Sequence, residues 1–120
     1  MIVIVRGRAT PEQVDQMLKA LGIYIKMAVD VEREVLAGGG ELHADCELIL
    51  LDDGSEQRNV WGNVWGADWY PTNQSVGFES IINIRPSANN RSMQIQDLEL
   101  RQKIEKIIRL FLEGVEIQWE

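Results

Sequence analysis

The residues of this chain best suited to chemistry are acidic, and they recur at alternate positions. Asp30, Glu32 and Glu34 alternate with Val29, Val31, Arg33 and Val35, and further on Glu41, His43, Asp45 and Glu47 are interleaved with apolar residues. If both stretches are strands joined at Gly38-Gly39-Gly40, one register matches their apolar faces: Val35 beside Leu42, Val31 beside Cys46, Val29 beside Leu48. The opposite face then sets Glu34 beside His43, Glu32 beside Asp45 and Asp30 beside Glu47. Like charges directly opposite on paired strands cost up to about 1 kcal/mol each, so this strip calls for a positive neighbour. Three candidates supply one: Arg85, which shares a strand face with Glu79 and Asn83; Arg91, in the loop Asn89-Asn90-Arg91-Ser92; or a divalent cation. The candidate ligand-binding set is therefore Glu32, His43, Asp45, Asn83, Arg85 and Arg91. The candidate metal set is Asp30, Glu32, His43 and Asp45.

Three readings of that strip compete. An acidic sheet face is most often solvated surface, screened by water and salt. A metal site has suitable hard oxygen and imidazole ligands here, but no HExxH or EF-hand spacing orders them. Paired carboxylates can share a proton and act as acid and base, yet no nucleophile accompanies them. No GxSxG, P-loop or GxGxxG is present, and the glycine run lacks the lysine a phosphate cradle needs. His43 is the single histidine, which excludes a His-pair zinc site; its simplest role is a surface residue paired with Glu34. Trp61, Trp65 and Trp69 fall on one strand face, where core or dimer-interface packing fits better than stacking on a sugar or base. Cys46 reads as a small core residue.

The elements that must position these groups are legible from period and caps. Thr10-Pro11-Glu12-Gln13 is a capping box, followed by Val14, Met17, Leu18 and Leu21 at helical spacing and by Gly22 as a stop. A longer helix near the C-terminus, capped by Asp97, carries the stripe Leu100, Ile104, Ile107, Ile108, Phe111 and ends at Gly114. Between them the period is two, predicting strands over Met27–Val35 and Glu41–Leu50. Asp53-Gly54 predicts a second hairpin, which leads into a Val/Trp strand over 59–69 and lays Gly62 beside Asp45. A further strand runs from Phe78 to Arg85 and stops at Pro86. Ile2–Val5 is a first strand, and Val115, Ile117 and Trp119 suit a short edge strand. The expected fold is a single α+β domain over residues 1–120. An antiparallel meander of four to five strands carries two helices packed on one face, in the order β-α-β-β-β-β-α.

Composition bounds the function. The chain has 120 residues, 12 Lys and Arg against 19 Asp and Glu, and a net charge of −7, the wrong sign for gripping a nucleic acid backbone. One cysteine makes no internal disulfide, and the apolar N-terminal run is too short for a signal peptide or membrane span. The expectation is a soluble cytoplasmic protein, neither nucleic-acid-binding nor membrane-bound.

Several stretches together carry a resemblance: Val29-Asp30-Val31-Glu32, Gly39-Gly40-Glu41-Leu42-His43-Ala44-Asp45, Gly54-Ser55 with Gln57, Trp61-Gly62, Ile82-Asn83-Ile84-Arg85-Pro86 and Asn90-Arg91-Ser92. Over nearly its whole length the chain resembles a family of small bacterial proteins known as a domain of unknown function. The resemblance implies no activity, cofactor or site residue. Two functional expectations remain. The favoured one is a non-enzymatic interaction or regulatory module, a homo-oligomer or the partner of another protein, using the Trp strand or a strand edge. The other is a protein that binds a metal or small anion on the acidic strip, where an enzyme is not excluded.

Overall fold

A computed structural model describes residues 2–55, 64–78 and 98–117. Five antiparallel strands, β1 (Val3–Val5), β2 (Ile25–Asp30), β3 (Val35–Gly40), β4 (Val64–Tyr70) and β5 (Ser75–Gly77), form one sheet in the order β1-β3-β2-β4-β5. Among the described residues, three helices cover it: α1 (Pro11–Leu18), α2 (His43–Asp52) and α3 (Leu98–Leu112). The fold is α+β, as expected, but the strands do not run as a meander, because β2 lies between β3 and β4.

Local signals hold where they are purely local. The Gln13 backbone N–H donates to Thr10 Oγ1 at 3.1 Å and the Thr10 N–H to Gln13 Oε1 at 3.0 Å, completing the capping box of α1. Gly22, at φ 86, donates back to the Leu18 carbonyl at 2.7 Å and closes the helix. α3 buries Ile104, Ile107, Ile108 and Phe111 as its stripe dictates. α1 and α3 share one face of the sheet with Val5, Met27, Leu36, Trp65 and Trp69. The two sheet tryptophans are 4% and 1% exposed, so they belong to this core and offer no contact surface.

The centre of the chain departs from expectation in three places. First, Met27–Val35 is not one strand. β2 ends at Asp30, whose Oδ1 accepts from the backbone N–H groups of Glu32 and Arg33, both at 3.0 Å. The Glu34 N–H donates to the Asp30 carbonyl at 2.9 Å, and Glu34 itself adopts φ 56. An aspartate bonding the backbone two and three residues on is turn chemistry, and here it overrides the alternating pattern.

Second, Gly38-Gly39-Gly40 is strand, not turn. A Cβ at Gly38 would lie 2.8 Å from Met17 Sδ, and one at Gly40 would lie 3.1 Å from Cys46 Sγ. The glycines therefore let α1 approach one face of β3 and α2 the other. Gly39, at φ 102, is the extra residue of a β-bulge where the register moves from Met27–Gly38 to Lys26–Gly40.

Third, Glu41–Leu50 is not a strand. His43–Asp52 is helix α2, burying His43, Cys46 and Leu50 against Ala28, Ala37 and Val64 on the second face of the sheet. Cys46 and Leu50 satisfy a period of two and a helical i, i+4 spacing equally, which is why the sequence pattern was ambiguous. The expected pairs Val35–Leu42, Val31–Cys46 and Val29–Leu48 do not form; β3 pairs Leu36 with Val29 and Ala37 with Ala28. Two helices do pack on one face, and the third covers the other. Asp53-Gly54 is the C-terminal end of α2 rather than a hairpin turn, with Asp53 donating its N–H to Ile49 and Leu50 carbonyls. Residues 115–117 have no regular structure, against the expected edge strand. Asp97, Trp119 and the strand expected beyond Phe78 lie outside the described residues.

Candidate functional site

The polar groups separate to the two ends of β2. At its start, α2 delivers His43 from its first turn onto β4, which presents Asp68 opposite Lys26 of β2. His43 Nε2 lies 2.7 Å from Asp68 Oδ1 and 3.2 Å from the Ala67 carbonyl. Both neighbours only accept, so this nitrogen carries the hydrogen and donates. The pair is enclosed, with side-chain exposures of 5% and 4%. One turn further on, the Cys46 thiol donates to the Lys26 carbonyl at 3.4 Å. Burial pushes this thiol up to about 11, so at neutral pH it is protonated and a poor nucleophile. Lys26 Nζ donates to the Glu41 carbonyl at 3.2 Å and ties β2 to the entry of α2. Beside it opens a shallow cleft of about 370 Å³ lined by Ile2, Lys19, Gly39, Gly40, Glu41 and Asp45. Asp45 is exposed in the first turn of α2, where a negative charge suits the helix dipole.

At the far end of β2 sits Asp30, 1% exposed. Its Oδ1 organises the turn, and its Oδ2 is buried without a partner among the described residues. Arg33, from the same turn, donates to Ser55 Oγ at 2.7 Å and to Asp53 Oδ2 at 2.8 Å. Arg6, following β1, donates to Asp53 Oδ1 at 2.6 Å. Hydrogen bonds from Arg6 and then Arg33 hold the Asp53 carboxyl below its ordinary range. These contacts bind the end of β1, the β2–β3 turn and the end of α2 into one knot.

The acidic strip is thus not a strip. Asp30 and Glu32 stand at one end of the sheet, His43 and Asp45 at the other, separated by the length of α2, about 15 Å for its ten residues. His43 pairs with Asp68, not Glu34, and the pairs Glu32–Asp45 and Asp30–Glu47 vanish with the hairpin that would have made them. Among the described residues no three His, Cys, Asp or Glu side chains gather as a metal-binding group. Asn83, Arg85, Arg91, Trp61 and Gly62 lie outside the described residues. Pattern reading missed Asp68, Lys26, Arg33 and Asp53. Asp68 carried the clearest signal, being the one charge inside Val64–Tyr70.

A family model described as "Protein of unknown function (DUF5674)" matches residues 3–111, a span that includes both polar clusters, α1, α2 and all but the last residue of α3. The chain belongs to this family. No curated protein and no solved structure matches it. Membership agrees with the resemblance carried by the Asp30, Gly39–Asp45 and Gly54–Ser55 stretches, and it supplies no activity. Among the described residues no helix is long and apolar enough to cross a membrane.

Proposed function

We propose that this chain is a non-enzymatic interaction module that self-associates. The observation carrying this reading is the outer side of α2. A surface helix ordinarily turns its large apolar side chains to the core and its polar ones outward. α2 buries Cys46 and Leu50 inward, yet it also holds Leu48 outward at 58% exposure, flanked by exposed Ala44 and half-buried Leu51. Among the described residues, His43, Asp68, Cys46 and Asp53 support the same reading, since each serves a structural contact. His43 and Asp68 hold α2 to β4, Cys46 is a protonated core thiol, and Asp53 is shared by two arginines. Light scattering over a range of concentrations tests the proposal. The mass should climb above the 13.7 kDa of one chain as concentration rises; a constant 13.7 kDa would overturn it.

One observation favours a second reading, a ligand at the β2–β3 turn. A buried carboxylate oxygen without a partner among the described residues, Asp30 Oδ2, invites a cation or a hydrogen-bond donor. A melting-temperature screen with Mn²⁺, Zn²⁺ and EDTA reads it directly. Stabilisation that disappears in Asp30→Asn supports the reading, and no response to any metal removes its cation form.

A further inference from the structure

Building on the self-association proposed above, we infer that copies of this chain join head to tail, α2 of one copy seated on α3 of the next. The two helices lie on opposite faces of the sheet and carry opposite charge. On α2, Asp45, Leu48 and Asp52 follow at i, i+3 and i+7, all exposed, so an apolar side chain stands between two carboxylates. On α3, Lys103, Lys106 and Leu110 follow at the same spacing, also exposed. Leu110 borders a cleft of about 410 Å³ whose other walls are Arg8, Lys106, Arg109 and Glu113. The acid in that group is already engaged: Glu113 accepts from Arg109 at 2.6 Å. Arg8 donates to the carbonyls of Leu110 and Glu113, which fixes a second positive charge beside Leu110.

Charge decides among the arrangements open to a second copy. An isologous α2–α2 contact centred on Leu48 would bring Asp45 and Asp52 of one copy onto the same pair of the other. An α3–α3 contact running through Lys103 and Lys106 would oppose those two lysines to each other. With a net charge of −7 the copies repel at long range, so α2 needs a receiving face with local positive charge. Seating Leu48 in the cleft beside Leu110 buries both apolar side chains and sets the flanking carboxylates among Lys106 and Arg8. Exposed ion pairs add little energy and mainly set orientation, while the two leucines supply the affinity. Because donor and acceptor faces differ, the contact is heterologous and forms rings or filaments rather than a closed two-fold dimer.

Complementing variants test this. Leu48→Glu disables the α2 face and Leu110→Glu the α3 face, and both are surface changes. Sedimentation velocity should find each variant alone monomeric, its association about tenfold weaker or more. An equimolar mixture should form a 1:1 dimer and stop there, through the intact α2 of one variant and the intact α3 of the other. If Leu110→Glu alone still dimerises, the contact is α2–α2 and the head-to-tail arrangement is wrong. If Leu48→Glu alone still dimerises, or the mixture stays monomeric, it is equally wrong, although self-association stands. A wild-type chain monomeric at every concentration overturns both proposals. Should either leucine variant unfold, Leu48→Ala and Leu110→Ala, which remove the same apolar contact, serve in the same mixing experiment, with the same outcomes.

Discussion

Removing Asp68 from beside His43 probes what holds α2 onto the sheet. The hydrogen bond is 2.7 Å long and both side chains are almost wholly enclosed, so neither group can turn to water once its partner is gone. Asp68→Ala leaves the His43 Nε2 hydrogen with the Ala67 carbonyl alone, at 3.2 Å. Breaking a buried pair from one side costs about 3–5 kcal/mol when an uncompensated charge remains, and about 1–3 kcal/mol when a neutral donor does. Asp68→Ala should therefore cost about 1–3 kcal/mol and His43→Ala, which strands the carboxylate, about 3–5 kcal/mol. Asp68→Asn keeps an acceptor and should cost less than either. Urea titration followed by far-UV circular dichroism reads these differences, and the larger one corresponds to a fall in Tm of roughly 10–20 °C in a domain of this size. The double variant should be less destabilised than the sum of the two single ones, because the second substitution relieves the group orphaned by the first. Additive costs, or single costs within about 0.5 kcal/mol of zero, would refute the assignment of this pair as the anchor of α2.

Three further outcomes follow from the same structure. Gly38→Ala places a methyl 2.8 Å from Met17 Sδ and 3.0 Å from Ile25 Cγ2, and Met17 is fully buried. It should cost about 1–3 kcal/mol by urea titration, and the Gly38→Ala/Met17→Ala double variant should lose less than the sum of the two single ones, whereas Gly7→Ala, with nothing within 4 Å, should be close to neutral. The Cys46 thiol ionises near 9.0 in the unfolded chain but near 11 in the folded one, so the unfolded state loses its proton first. Stability should be level below pH 9 and decline by about 2–3 kcal/mol toward pH 11, a decline absent in Cys46→Ala when both are titrated in urea across that range. Asp53 shows the opposite sign, since its folded carboxyl titrates below its ordinary 3.8. The stabilisation from its two arginines should be complete above about pH 4 and disappear as pH falls through the folded value, and Asp53→Asn should remove that part of the acid denaturation curve.

Cap and stripe were enough for α1, and the stripe alone for α3, because a capping box and a run of apolar residues at helical spacing have one local solution. Positions 42, 44, 46, 48 and 50 had two. Their alternation suits a half-buried strand, and Cys46 with Leu50 equally suits a helix. Only the presence of a second sheet face to cover, with the space that Gly40 leaves beneath Cys46, selects the helix. The error propagated to the site, since every carboxylate pairing depended on that one register. A resemblance to a family of unknown function was legible in the motif stretches even so, because such a fingerprint depends on residue order and not on the shape assigned to it, and the family model bears it out.

Residue order by itself determined the α+β class, the buried faces of two helices and the capped start of the first, all of which depend on contacts within a few residues. Tertiary structure alone decided that the glycine run is a close-packed strand, that Asp30 turns the chain, and that His43 meets Asp68 across 25 residues. The physical reason is common to all three. Each rests on how near two elements approach through space, and a periodic pattern records which side of an element is apolar without recording what lies against it.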